Sequence, residues 1–112
     1  MEESKPTQGR CAAVTMAVRV ALTEVESGRA VHGWATKLCE HGIRVDTPGA
    51  FPPGTPVEVR AMAREGDKAV RLQTLGTVLM ADPDGTGVEF TNPSDNLHEA
   101  VRRLIRYFPS LA

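Results

Sequence analysis

Hydrophobic positions along this chain recur every second residue over most of its length. Val14, Met16, Val18, Val20 and Leu22 alternate with Thr15, Ala17, Arg19, Ala21 and Thr23, the pattern of a strand with one buried face. Glu26-Ser27-Gly28 supplies a turn, and Ala30–Cys39 is a second β-capable run that holds the only tryptophan, Trp34. Gly42 separates it from a short strand, Ile43–Asp46. The segment from Thr47 to Gly54 is dense in breakers, and Pro53-Gly54 suits the centre of a type II turn. Val57, Val59, Ala61 and Ala63 then alternate with Glu58, Arg60, Met62 and Arg64. Glu65-Gly66-Asp67 reads as a hairpin loop, with a strand returning from Val70 to Met80. Asp82-Pro83-Asp84-Gly85 fits a type I turn, and Val88 and Phe90 bracket Glu89 in a last strand.

The period then changes. Asn92 is placed to cap a helix, Pro93 to open it and Asp95 to favour its positive end. Leu97, Val101, Leu104 and Phe108 form one apolar stripe, opposed by His98, Arg102 and Arg106, with Arg103 nearby. Pro109 ends the run, giving a helix over about residues 93–108. Six short strands with tight turns predict an all-β fold, a small antiparallel barrel or sandwich, with the helix over one opening or outside.

Composition narrows the classes. At 112 residues one domain is expected, residues 10–112, preceded by a mobile polar arm at 1–9 that contains Pro6. Thirteen Lys and Arg against 14 Asp and Glu leave a formal charge of -1, without the basic excess of a dedicated nucleic-acid binder. No stretch reaches the ~18 apolar residues of a membrane span, and the acidic start Met1-Glu2-Glu3-Ser4 does not resemble a secretion signal. Cys11 and Cys39 could form one bridge at most; in a cytoplasmic protein they read as reduced thiols. Cys39 reads as a small buried hydrophobe more readily than as a thiol activated by His41.

Enzymatic constellations are absent. His32, His41 and His98 share no metal-ligand spacing with one another or with the cysteines, and Asp82 and Asp84 read as turn residues. No glycine-rich strand-to-helix turn offers a phosphate cradle. A non-enzymatic protein without a metal or cofactor is expected.

The segment Gly33-Trp34-Ala35-Thr36-Lys37-Leu38-Cys39-Glu40-His41-Gly42-Ile43-Arg44-Val45 precedes Pro53-Gly54-Thr55-Pro56-Val57-Glu58-Val59. Gly76-Thr77-Val78, Gly87-Val88-Glu89-Phe90 and a helix follow. In this order they resemble a PilZ domain over about residues 10–108. The resemblance implies a six-stranded barrel with a C-terminal helix, used in bacterial signalling. Family members that bind cyclic di-GMP carry Arg-x-x-x-Arg before the first strand and Asp/Asn-x-Ser-x-x-Gly after the second. Those positions fall here on Lys37, Cys39 and Gly42, and only the glycine matches. Arg10 fits the later arginine, but Pro6 stands where the earlier one belongs. Lysine accepts no hydrogen bond and a thiol replaces a hydroxyl poorly, so cyclic di-GMP binding by the usual motifs is not expected. Gly42 is expected to serve the fold, as a residue free to take positive φ between two strands.

The resemblance therefore implies a domain that docks on another protein of a bacterial signalling or motility system, such as one of type IV pili. Candidate contact surfaces are the strand face carrying Trp34 and the helix face of Arg102, Arg103 and Arg106. The alternative is a cyclic di-GMP receptor with altered contacts, using Arg10 and Lys37 on phosphates. Nucleic-acid binding would need exposed aromatic residues beside a basic stripe; Phe51, Phe90 and Phe108 sit instead in turn, strand-core and helix-core patterns. Ile105 and Leu111 widen the apolar arc of the helix, leaving a homodimer open.

Overall fold

Outward and inward side chains sort as the alternation requires from Val18 to Thr23 and from Val57 to Arg64, while irregularities between Ala35 and Lys37 and between Val78 and Met80 interrupt it elsewhere. In the computed structural model, which describes residues 11–14, 16–49 and 51–108, seven strands and one helix form. They are β1 (Cys11–Ala13), β2 (Val18–Glu24), β3 (Ala30–Cys39), β4 (Gly42–Val45), β5 (Pro56–Glu65), β6 (Lys68–Asp82), β7 (Gly85–Phe90) and α1 (Asp95–Ile105). Antiparallel pairing runs β3–β2–β5–β6–β7–β4 and closes through β3–β4, so six strands make a barrel without an open edge. Strand β1 lies outside this ring. It extends the β2 side of β3, pairing with Lys37–Cys39 while β2 pairs with Ala30–Trp34.

The alternation beginning at Val14 does not run through as one strand. Between β1 and β2 the Ala17 amide donates to the Val14 carbonyl at 2.9 Å, and Met16 takes φ 58°. Val14 and Val18 both point inward, whereas Met16 is 67% exposed. The turn ejects the residue that strict alternation would bury.

Valines and alanines fill most of the barrel, with Leu22, Leu38, Ile43 and Leu72 among them. Phe90 and Phe51 supply the aromatic bulk. Phe51 lies in the β4–β5 connection yet is 1% exposed, and the Arg29 guanidinium sits 4.9 Å from its ring centre. Pro53-Gly54 turns as expected, with Gly54 at φ 94°.

The helix starts later than its sequence suggests. Ser94, not Asn92, is the N-cap, its hydroxyl accepting from the Leu97 amide at 3.1 Å. Asn92 instead takes φ 46°, a conformation its short polar side chain tolerates, and turns the chain out of β7. Helical geometry ends at Ile105, followed by two i-to-i+3 bonds, Tyr107 to Leu104 and Phe108 to Ile105. Leu97, Val101, Leu104 and Ile105 are all buried, so the barrel takes up the wider apolar arc, including Ile105. Leu111 lies outside the described residues, as do the arm and Arg10. No described helix is long and apolar enough to cross a membrane.

Candidate functional site

Two grooves lie on the outer wall of the barrel, sharing strands β3 and β6 but no lining residue. The smaller, about 340 Å³, gathers Lys37, Cys39 and Gly42 with His41, Arg44 and Met80. Lys37 of β3 stands opposite Arg44 of β4, which stands opposite Gly87 of β7. Three of the residues singled out in the sequence thus do meet.

Their chemistry differs from the expectation at Cys39. Cys11 and Cys39 are directly opposed in the β1–β3 ladder, and their sulfurs are bonded. Neither is a reduced thiol, a lone buried hydrophobe or a nucleophile tuned by His41. Opposed residues of an antiparallel pair lie ~4.5–5.5 Å apart at Cα, so β1 docking delivers one sulfur to the other. The strand that does so was not expected, so the pairing could not be read from spacing alone.

Gly42 also serves the fold differently. It is not among the glycines with positive φ. A Cβ there would meet the Val88 carbonyl oxygen at 2.5 Å, because β4 crosses β7 closely at this point. Close approach, rather than a left-handed backbone, requires the glycine.

Arg44 is engaged beside them. Its guanidinium lies 3.2 Å from the Asp82 carboxylate, and Asp82 Oδ1 also accepts from the amides of Asp84 and Gly85 at 2.9 Å. The Asp84 amide first, and then Arg44, hold the Asp82 carboxyl below the usual carboxylate range. The turn aspartate expected from the sequence is therefore also an anchor for a groove arginine.

The larger groove, about 880 Å³, lies on the outer faces of β3, β2, β5 and β6. Cross-strand register sets Trp34, Arg19, Met62 and Arg71 in one row, and His32, Ala21, Arg60 and Gln73 in the next. Trp34 is partly buried, and the Arg19 guanidinium lies 5.3 Å from its ring centre. The Trp34 amide donates to Asp46 Oδ1 at 2.7 Å, while its carbonyl accepts from the Asp46 amide at 2.9 Å. A Cβ on Gly33 would meet that Asp46 oxygen at 2.6 Å. Arg60 pairs with Glu58 at 3.2 Å, and Gln73 donates to the same carboxylate at 2.9 Å. Arg19, Arg60 and Arg71 went unremarked as a set in the sequence. Each occupies an outward position of an alternating strand, but only the order β2–β5–β6 makes them neighbours.

The helix arginines do not form one uncommitted patch. Arg102 lies 3.8 Å from Glu40, Arg103 is exposed yet also engaged, and Arg106 is exposed at the C-cap. Beside them the His98 ring meets His41 edge-on at 5.5 Å, with His98 Nε2 buried and unpaired among the described residues. No three metal-ligating side chains cluster among the described residues.

Residues 8–107 match the PilZ domain family. No curated protein sequence matches the chain. Among solved structures, the PilZ domain of CeSA from a cellulose-synthesizing bacterium is similar at 17% identity and TM-score 0.60, over 80% of this chain and 90% of that one. The Bacillus subtilis inhibitor of motility, MotI/DgrA, is similar at 14% identity and TM-score 0.71, over 95% of this chain. The match spans only 52% of that protein, about half its length. The PilZ domain of YcgR from Escherichia coli, solved with c-di-GMP, is similar at 11% identity and TM-score 0.64, over 94% and 92% of the two chains. At such identities the likeness is one of fold. With the family match running nearly the whole length and the barrel shared with solved PilZ domains, this chain belongs to the PilZ domain family.

Proposed function

We propose that this PilZ domain is a non-enzymatic regulator that acts by contacting another protein of a bacterial signalling or motility system. It does not hold cyclic di-GMP through the family's usual motifs. The observation that carries this reading is the Cys11–Cys39 bridge, which occupies the motif position where a serine hydroxyl would serve a ligand. A bridged sulfur has no hydrogen to donate. Lys37, at the acceptor position, brings three donors and no acceptor. Arg44, the one described guanidinium lining that groove, is already turned onto Asp82. These residues do not fit the ligand of the YcgR domain.

The function then rests on the outer surface. The motility inhibitor of similar fold supports a regulatory role in that setting. Calorimetric titration with cyclic di-GMP tests the reading. Absence of saturable heat at high micromolar ligand is expected, whereas stoichiometric binding abolished by Lys37→Ala would overturn it.

A further inference from the structure

The larger groove gathers three arginines, with Asp46 its one acidic lining residue. The chain as a whole is nearly neutral, yet this wall presents Arg19, Arg60 and Arg71 around a floor left open by the small side chain of Ala21. Of the three, Arg60 is offset by Glu58 and Arg19 rests on Trp34. Arg71 is exposed and makes no ion pair among the described residues. Between the two end cations of the row sits Met62, 41% exposed, an adaptable apolar side chain with no structural reason to face water. Cation, apolar anchor and cation are thus set in line by strand register.

Resting on the protein-contact reading above, we propose that this groove binds an acidic linear segment of a partner protein, crossing the strands over Trp34 and Met62. Register sets the spacing. Arg19 on β2 and Arg71 on β6 are two strand intervals apart, about 9–10 Å at ~4.8 Å each. An extended polyproline-type segment advances ~3.1 Å per residue with three residues per turn, so acidic side chains three apart point the same way at about that distance. The segment recognised is acidic-x-x-acidic, its backbone passing over Met62 between the two acids, with an aliphatic or aromatic residue beyond the acid seated on Arg19 to pack on the Trp34 ring. The strands under the groove, β3, β2, β5 and β6, are each paired on both sides, so recognition runs through side chains rather than through an added strand.

Display selection of random twelve-residue peptides on the full chain tests this, read by emission from Trp34, the only tryptophan. Enriched peptides are expected to share the acidic-x-x-acidic spacing and to change Trp34 emission. They should weaken at least about tenfold on Arg19→Glu with Arg71→Glu, and weaken with added salt. Ala21→Gln, which fills the floor without altering charge, should weaken them too, while Arg106→Glu on the helix should not. Peptides without acidic excess, no enrichment, or binding indifferent to both groove variants would overturn the proposal. So would tighter binding of a twelve-nucleotide oligothymidine through the same arginines, which would make the basic row a nucleic-acid surface. Peptides that depend on the helix arginines would overturn the groove but leave the protein-contact reading standing. Cyclic di-GMP binding lost with Lys37→Ala would overturn that reading and not the groove.

Discussion

Cys11 and Cys39 face each other across the β1–β3 ladder and tie the residue next to Arg10 to the rim of the smaller groove. They are 28 residues apart, so the bridge closes a loop containing all of β2. A cross-link of that span stabilises by about 3.5 kcal/mol through the unfolded chain. Cys11→Ser with Cys39→Ser is expected to lower the urea unfolding midpoint by a corresponding amount. Reductant should do the same to the wild-type chain and nothing further to the variant.

Gly42→Ala places a methyl against the Val88 carbonyl, an approach that neither backbone can relieve without parting β4 from β7. Crowding of this kind costs about 1–3 kcal/mol. The same substitution at Gly28, where nothing lies within 4 Å, meets only the strain of φ 77°. Denaturant melts of the two variants separate close approach from backbone conformation.

The Asp82 carboxylate, held by the Asp84 amide and Arg44, has a folded-state pKa below its unfolded value. Its contribution is therefore complete above the unfolded pKa of about 3.9 and is lost as pH falls through the lower folded-state value. Asp82→Asn should be less stable than wild type at neutral pH, and the gap should shrink as acid is added. Paired urea titrations at neutral pH and at about pH 2–3 check both the sign and the window.

Phe51→Ala removes the one aromatic that the β4–β5 connection sends into the barrel. A loss of about 3–5 kcal/mol is expected, as for an aromatic in a strand core. Phe108→Ala, where the ring is only partly buried, should cost less. Thermal melts of the pair test whether this loop is part of the core.

Much of the barrel is legible from local pattern, because each strand shows its inner face by alternation and each tight turn needs particular residues. Val57, Val59, Ala61 and Ala63 are inward as read, and Pro53-Gly54 turns where predicted. What escapes local reading depends on contacts distant in sequence. The burial of Phe51 requires the barrel to close over a loop rich in breakers. The cysteine bridge requires an extra strand whose register puts residue 11 opposite residue 39. Arg19, Arg60 and Arg71 become one surface only when β2, β5 and β6 lie side by side. Met16 shows the converse, since a perfect alternation there conceals a tight turn.

In the function proposed above, the chain keeps the PilZ barrel while its motif positions no longer serve cyclic di-GMP. One calorimetric series tests it by comparing the native chain with a variant carrying Pro6→Arg, Cys11→Ser, Lys37→Asp and Cys39→Ser, which restores both motifs around Arg10 and Gly42. Saturable cyclic di-GMP binding is expected of the restored chain and none of the native one. Native binding of comparable affinity, lost on Arg10→Ala or Lys37→Ala, would contradict it.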